Sequence, residues 1–187
     1  MADLVIAETM ERAVVERLGA RFQLRHDPGL VDDRPRLLAE LADARGLIVR
    51  NRTRVDRELL AAAPGLLVVG RLGVGLDNID TEACARRGVA VCPATGANAR
   101  SVAEYVVTGL LMLRRGCFLA SGRVAAGDWP RAALQGDEVA ETTLGLVGFG
   151  GIARAVARRA AAFGVRVLAA DPNVPADDPV WQETGAV

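Results

Sequence analysis

Between Leu4 and Cys92 the chain repeats one pattern, in which a short and almost wholly apolar run is followed by a stretch with helical spacing and then a turn. Strands joined by helices lie parallel, and a parallel sheet must be covered on both faces, so its strands read as continuous apolar runs rather than alternating ones. The fitting runs are residues 4–7, 21–24, 46–49, 66–70 and 89–92. Helical spacing fills 10–18, 34–42, 56–62 and 81–86, the last closed by Gly88 as a left-handed cap. This succession predicts an α/β protein whose first domain, residues 1–98, is a flavodoxin-like parallel sheet.

Composition narrows the chemistry. The 187 residues carry 23 cations and 23 acids, and a net charge of zero provides no field for a nucleic-acid backbone or an anionic membrane. Small molecules are the expected partners. All 23 cations are arginine, which excludes a lysine-bearing phosphate loop, a Schiff-base lysine and a lysine base. The only histidine, His26, precedes Asp27-Pro28-Gly29 and reads as an exposed loop residue. Cys84, Cys92 and Cys117 are too widely spaced for a zinc or redox pair, so no metal is expected and they read as core filler in a reducing compartment. Residues 1–10 contain Asp3 and Glu8 and no basic leader, and the longest apolar run, 106–113, falls far short of the roughly 20 residues of a membrane span. A cytoplasmic location is therefore expected, and the sequon Asn51-Arg52-Thr53 reads as chance.

In the second half, Ser101-Val102-Ala103-Glu104 has the form of a capping box and predicts a helix over 102–115. Residues 116–141 are rich in glycine and read as an irregular excursion. Then 142–147 reads as a strand, 150–163 as a helix with Ile152, Val156 and Phe163 on one face, and 165–170 as a second strand. Between strand and helix lies Gly148-Phe149-Gly150-Gly151-Ile152-Ala153, which fits G-x-G-x-x-G/A. The first glycine permits the tight turn, the second lets a pyrophosphate approach the helix N-terminus, and Ala153 takes the packing position. Asp171 comes about 20 residues on, where a carboxylate binds a ribose 2′-hydroxyl and repels a 2′-phosphate. The expected cofactor is NAD.

Two loops of the first domain invite an anion. Arg71-Leu72-Gly73-Val74-Gly75 comes after the fourth strand, and its glycines allow successive amides to converge. Arg50-Asn51-Arg52-Thr53-Arg54 comes after the third, at the same edge of the sheet.

Read together, Arg50-x-x-Thr53-x-Val55-Asp56, the run from Val69 to Asp80, Gly96-Ala97-Asn98-x-x-Ser101-Val102-Ala103-Glu104 and the run from Gly145 to Ala153 stand in the order seen in D-isomer-specific 2-hydroxyacid dehydrogenases. The chain resembles the phosphoglycerate-dehydrogenase-like branch from Leu4 to its C-terminus. The resemblance implies that the amides of Val74 and Gly75 hold the carboxylate of a small 2-hydroxy or 2-oxo acid, with Val74 also approaching the nicotinamide. It assigns Arg50 and Asn51 to the distal end of the substrate. It assigns Gly148, Gly150, Gly151 and Ile152 to the pyrophosphate turn, and Asp171 to the adenosine ribose. Gly151 stands where the family often has Arg, and Cys92 where Asn is common. The family's catalytic Arg, carboxylate and His lie downstream of the second strand of the nucleotide domain, so no residue of this chain is expected to be catalytic. Residues 99–187 are accordingly expected to be an incomplete Rossmann domain, holding its first βαβ only, in a chain that is an N-terminal portion inactive by itself. A homo-oligomer is expected. The alternative is a non-catalytic module that senses NAD and binds protein.

Overall fold

The computed structural model describes residues 2–175 together with Asp177 and Pro179. The chain divides into two compact units, Met1–Thr95 and Gly96–Val187. In the first, β1 (Leu4–Ile6), β2 (Leu24–His26), β3 (Gly46–Val49), β4 (Val68–Arg71) and β5 (Ala90–Pro93) form one parallel sheet in the order β2-β1-β3-β4-β5. The strand order reverses between β1 and β3, and in open α/β sheets the ligand crevice lies outside the carboxyl ends of strands at such a reversal. The segments immediately after Ile6 and Val49 therefore matter most.

The helices are α1 (Arg12–Gly19), α2 (Arg34–Glu40), α3 (Arg57–Ala62) and α4 (Thr81–Arg86). Asp33, Asp56 and Asp80 start the last three, each carboxylate accepting from the amide three residues on, at 3.1, 3.0 and 2.8 Å. Val5, Leu41, Leu47, Val49, Leu59 and Val69 are fully buried between sheet and helices.

Three expectations are corrected. The second strand begins at Leu24 rather than residue 21, because the amides of Arg21 and Phe22 still donate to Leu18 O at the end of α1. His26 consequently closes β2 opposite Ile6, half-buried, instead of standing exposed in a loop. Of the cysteines only Cys84 is buried, while Cys92 and Cys117 are exposed.

The second unit opens with α5 (Ala99–Arg115), stopped by Gly116 at φ 64°. The helix begins before Ser101, with Val102 N–H donating to Asn98 O at 2.9 Å, so the expected capping box is already inside the helix and caps nothing. The stretch expected to be irregular contains α6 (Ser121–Ala125) and single turns at Cys117–Ala120, Ala132–Leu134 and Val139–Glu141. β6 (Thr143–Val147), α7 (Gly151–Ala161) and β7 (Arg166–Ala170) complete a βαβ unit with parallel strands. Val156, Ala157 and Ala160 form the buried face of α7, and Phe163 lies beyond its end and is exposed. No helix among the described residues is long and apolar enough to cross a membrane.

Gly136 fixes the excursion to α5. A Cβ there would meet the carbonyl oxygens of Arg114 and Arg115 at 2.5 and 2.6 Å, beside the Asp137 N–H bond to Arg114 O. Backbone cannot step aside cheaply, so Gly136→Ala is expected to cost about 1–2 kcal/mol in thermal unfolding. Gly109→Ala, inside α5 with open space around it, is expected to gain up to about 1 kcal/mol.

Candidate functional site

In the first unit the loops after β3 and β4 lie side by side, since Val49 pairs with Arg71 in the register. They bring Arg50 and Asn51 together with Val74 and Gly75 at one edge of the sheet. The amides of Val74 and Gly75 donate to no group among the described residues, whereas Gly73 N–H is used up on Arg71 O at 2.9 Å. Two exposed and unsatisfied donors therefore remain in the loop where an anion was expected.

Arg71 gives that loop its charge. Its Nη1 donates to Leu72 O at 2.8 Å, its Nε is buried without a partner among the described residues, and its guanidinium lies against Gly73, where any Cβ would collide with it. Gly73 sits at φ 143°. The neighbouring Arg50 is exposed, and its guanidinium has no acceptor among the described residues.

Glu8, just beyond β1, is 5% exposed. Its Oε1 accepts from the amides of Arg50 and Thr53 at 2.8 and 3.0 Å, and Oε2 from Asn51 and Arg52 at 3.3 and 3.2 Å. Burial alone would raise its pKa, but the amides, with those of Thr53 and Arg50 foremost, hold it below the usual glutamate value and keep it ionised. From the other side Asn78 Nδ2 donates to Thr53 O at 2.7 Å and to Arg50 O at 3.4 Å, lacing the two loops together.

Sequence reasoning missed Glu8 and Asn78 as contributors and took Arg71 only as a loop residue. A carboxylate directly behind an apolar strand was the available signal for Glu8. Shape alone would mislead here: a cavity of about 350 Å³ between α3 and α4 is lined by Arg57, Arg86 and Arg87. Those guanidiniums are committed to Asp80, Glu82 and Leu60 O.

In the second unit Gly148 turns the chain at φ 86°, its amide bonded to Ala170 O at 2.8 Å. Gly150 is the N-cap of α7, and Gly151 and Ile152 open the helix. At Gly148, Gly150 and Gly151 a Cβ would meet nothing within 4 Å, so the N-terminus of α7 faces open space. Phe149, between the glycines, is instead fully buried among Val139, Ala157, Ala160, Val165 and Val167. Arg154 caps it, with Nε donating to Phe149 O at 2.9 Å and the guanidinium 5.3 Å from the ring centroid.

Asp171 closes this turn. Its Oδ2 accepts from Phe149 N–H at 2.7 Å and Oδ1 from Asn173 N–H at 2.8 Å, and these amides lower its pKa. Asp171 thus meets the glycine turn just after β7.

Residues 4–177 match the family described as D-isomer specific 2-hydroxyacid dehydrogenase, catalytic domain. Over 182 residues the chain is 60% identical to an (S)-sulfolactate dehydrogenase of Chromohalobacter salexigens, covering 97% of this chain and 59% of that protein. It is 42% identical over 171 residues to a D-3-phosphoglycerate dehydrogenase of Mycobacterium leprae, covering 91% and 32% respectively. The chain therefore spans between a third and three fifths of these relatives. A crystal structure of a Thermus thermophilus protein superposes with a TM-score of 0.78 at 32% identity, covering 92% of this chain and 58% of that one.

Proposed function

The chain belongs to the D-isomer specific 2-hydroxyacid dehydrogenase family, and we propose that it serves NAD-dependent oxidation of a 2-hydroxy acid that carries a second, strongly acidic group, with sulfolactate as the substrate. The observation that carries this reading is the placement of two amides without an acceptor among the described residues, Val74 and Gly75, beside the guanidinium of Arg71, with the exposed Arg50 following the neighbouring strand end. One anion on the amides and another on the guanidiniums is the requirement of a molecule with a carboxylate at one end and a sulfonate at the other. The Nε of Arg71, buried with no acceptor among the described residues, leaves that guanidinium with a donor to spare. The 60% identity to a sulfolactate dehydrogenase points the same way. Its (S) label agrees with a D-specific family, because sulfur outranks oxygen in the priority rules and reverses the descriptor relative to D-lactate.

Residues 1–98 then form the substrate-binding domain and 99–187 supply an NAD-binding βαβ. The open N-terminus of α7 at Gly150, Gly151 and Ile152 suits a pyrophosphate, Gly148 makes the turn, and Asp171 favours the unphosphorylated ribose. When bound, NAD would supply the hydride acceptor for oxidation of the hydroxyl-bearing carbon, the hydroxyl proton passing to a base that none of the residues named here provides. What these residues add is orientation: Val74 and Gly75 fix the carboxylate and Arg50, with Asn51, the far end, so that the hydroxyl-bearing carbon is held between them. Three free thiols and an NAD requirement suit the cytoplasm.

Titration of the protein with (S)-sulfolactate and with D-lactate tests this. The sulfonate is expected to tighten binding by about ten-fold or more, and Arg50→Ala to remove most of that difference. Equal affinity for both acids would overturn the substrate assignment, and NADP bound as tightly as NAD would overturn the role of Asp171.

A further inference from the structure

Four consecutive amides, those of Arg50, Asn51, Arg52 and Thr53, point at one spot beside the substrate edge. Such a nest is an anion site in its own right. Left open, it would compete with Val74 and Gly75 for the substrate's carboxylate or sulfonate. It is filled from within, by a side chain 42 residues earlier in sequence whose strand β1 adjoins β3 at the point where strand order reverses.

We propose that Glu8 is the positioning residue of this site: its carboxylate occupies the amide nest of residues 50–53 and thereby commits the loop to presenting the side chains of Arg50 and Asn51, not its amides, to the substrate. The inference rests on the substrate reading given above. Three observations carry it. Glu8 is nearly fully buried, and each carboxylate oxygen accepts two of the four amides, so it has no task at the surface. Thr53, the last residue of the nest, is 3% exposed, whereas Arg50 and Asn51 at its start are exposed. Asn78 closes on the carbonyls of Arg50 and Thr53 from the β4 loop, so the loop held by Glu8 is the one coupled to Val74 and Gly75.

The chemistry discriminates among replacements. Glutamine has the same shape but only one acceptor oxygen, and its NH2 group would face two of the amides donor to donor. Aspartate keeps the charge and both oxygens but draws them back by about 1.5 Å. Alanine empties the nest, which a small carboxylate such as formate is then able to enter.

The test uses amide hydrogen exchange and sulfolactate titration on Glu8→Gln, Glu8→Asp and Glu8→Ala. In Glu8→Gln and Glu8→Ala the amides of Arg50, Arg52 and Thr53 are expected to exchange about ten-fold faster or more, while those of Val5 and Val69 in the sheet stay protected. Sulfolactate affinity is expected to fall about ten-fold, with Glu8→Asp intermediate and formate restoring part of the loss in Glu8→Ala. Loss of loop protection with affinity within about two-fold of wild type would overturn the proposal, leaving Glu8 a purely structural residue. Unchanged loop exchange would overturn it outright. If the unsubstituted protein fails to bind sulfolactate, the substrate reading falls, and loop exchange, followed with and without formate in Glu8→Ala, alone decides whether Glu8 sets the loop. If the sheet amides lose protection in every variant but Glu8→Asp, that variant's affinity decides.

Discussion

Gly73→Ala is expected to lower the affinity for sulfolactate by about 100-fold, roughly 3 kcal/mol, the worth of one or two charge-assisted hydrogen bonds. The position fails for a side chain on two independent counts. At φ 143° an L-residue is strained whatever the surrounding space, and the new Cβ would fall on the guanidinium of Arg71. Relief of either fault damages the site. Rotating the backbone back to negative φ turns the amides of Val74 and Gly75 out of alignment, and expelling the guanidinium removes the cation from beneath them. Gly75→Ala is the control, because its Cβ would meet the Oδ2 of Asp77 at 3.1 Å, the mobile end of an exposed side chain, and Nη2 of Arg71 only at an ordinary contact distance of 3.9 Å. A much smaller loss is expected there, measured by the same titration. Equal losses for the two variants would show that Arg71 and the backbone of Gly73 are not what shapes the loop.

The contrast between these glycines shows where sequence stops informing. Both were legible as parts of a glycine loop after the fourth strand, since glycines after an apolar strand need no tertiary knowledge. That Gly73 shelters an arginine emerges only from the fold. The strands were legible for a similar local reason: β3 is bounded by Arg45 and Arg50 and matches its expected limits, while β2 slipped because the end of α1 takes the amides of Arg21 and Phe22. The error at Ser101 has the same origin, a good local pattern overridden by a helix already begun at Ala99. Glu8 was invisible as a site residue because its partners lie more than 40 positions away and contribute backbone amides, which carry no residue signature. Asn78 acts on carbonyls and escaped for the same reason.

Phe149 carries the same lesson into the second unit, and its replacement by alanine is expected to have the largest effect on stability of any single change in the chain. In G-x-G-x-x-G/A it occupies a position that the pattern leaves free, yet it is the largest fully buried side chain described. Truncating a buried phenylalanine costs about 3–5 kcal/mol, which is a large share of the roughly 5–15 kcal/mol that holds a typical domain folded. The unit has little to spare, because its described sheet is only β6 and β7 and its core is the cluster around this ring. The loss also reaches the glycine turn. Phe149 N–H is the donor that fixes Asp171, and Phe149 O is the acceptor that fixes Arg154, so a ring released from the core frees both ends of the glycine loop. NAD binding, measured by titration, is therefore expected to be lost together with amide protection at Val167 and Ala157, while Leu47 and Val69 in the first unit keep theirs. Phe149→Leu, which refills most of the volume, is expected to retain binding at a cost of about 1–1.5 kcal/mol. An alanine variant that binds NAD with undiminished affinity would show that the turn is held by the strand ends alone.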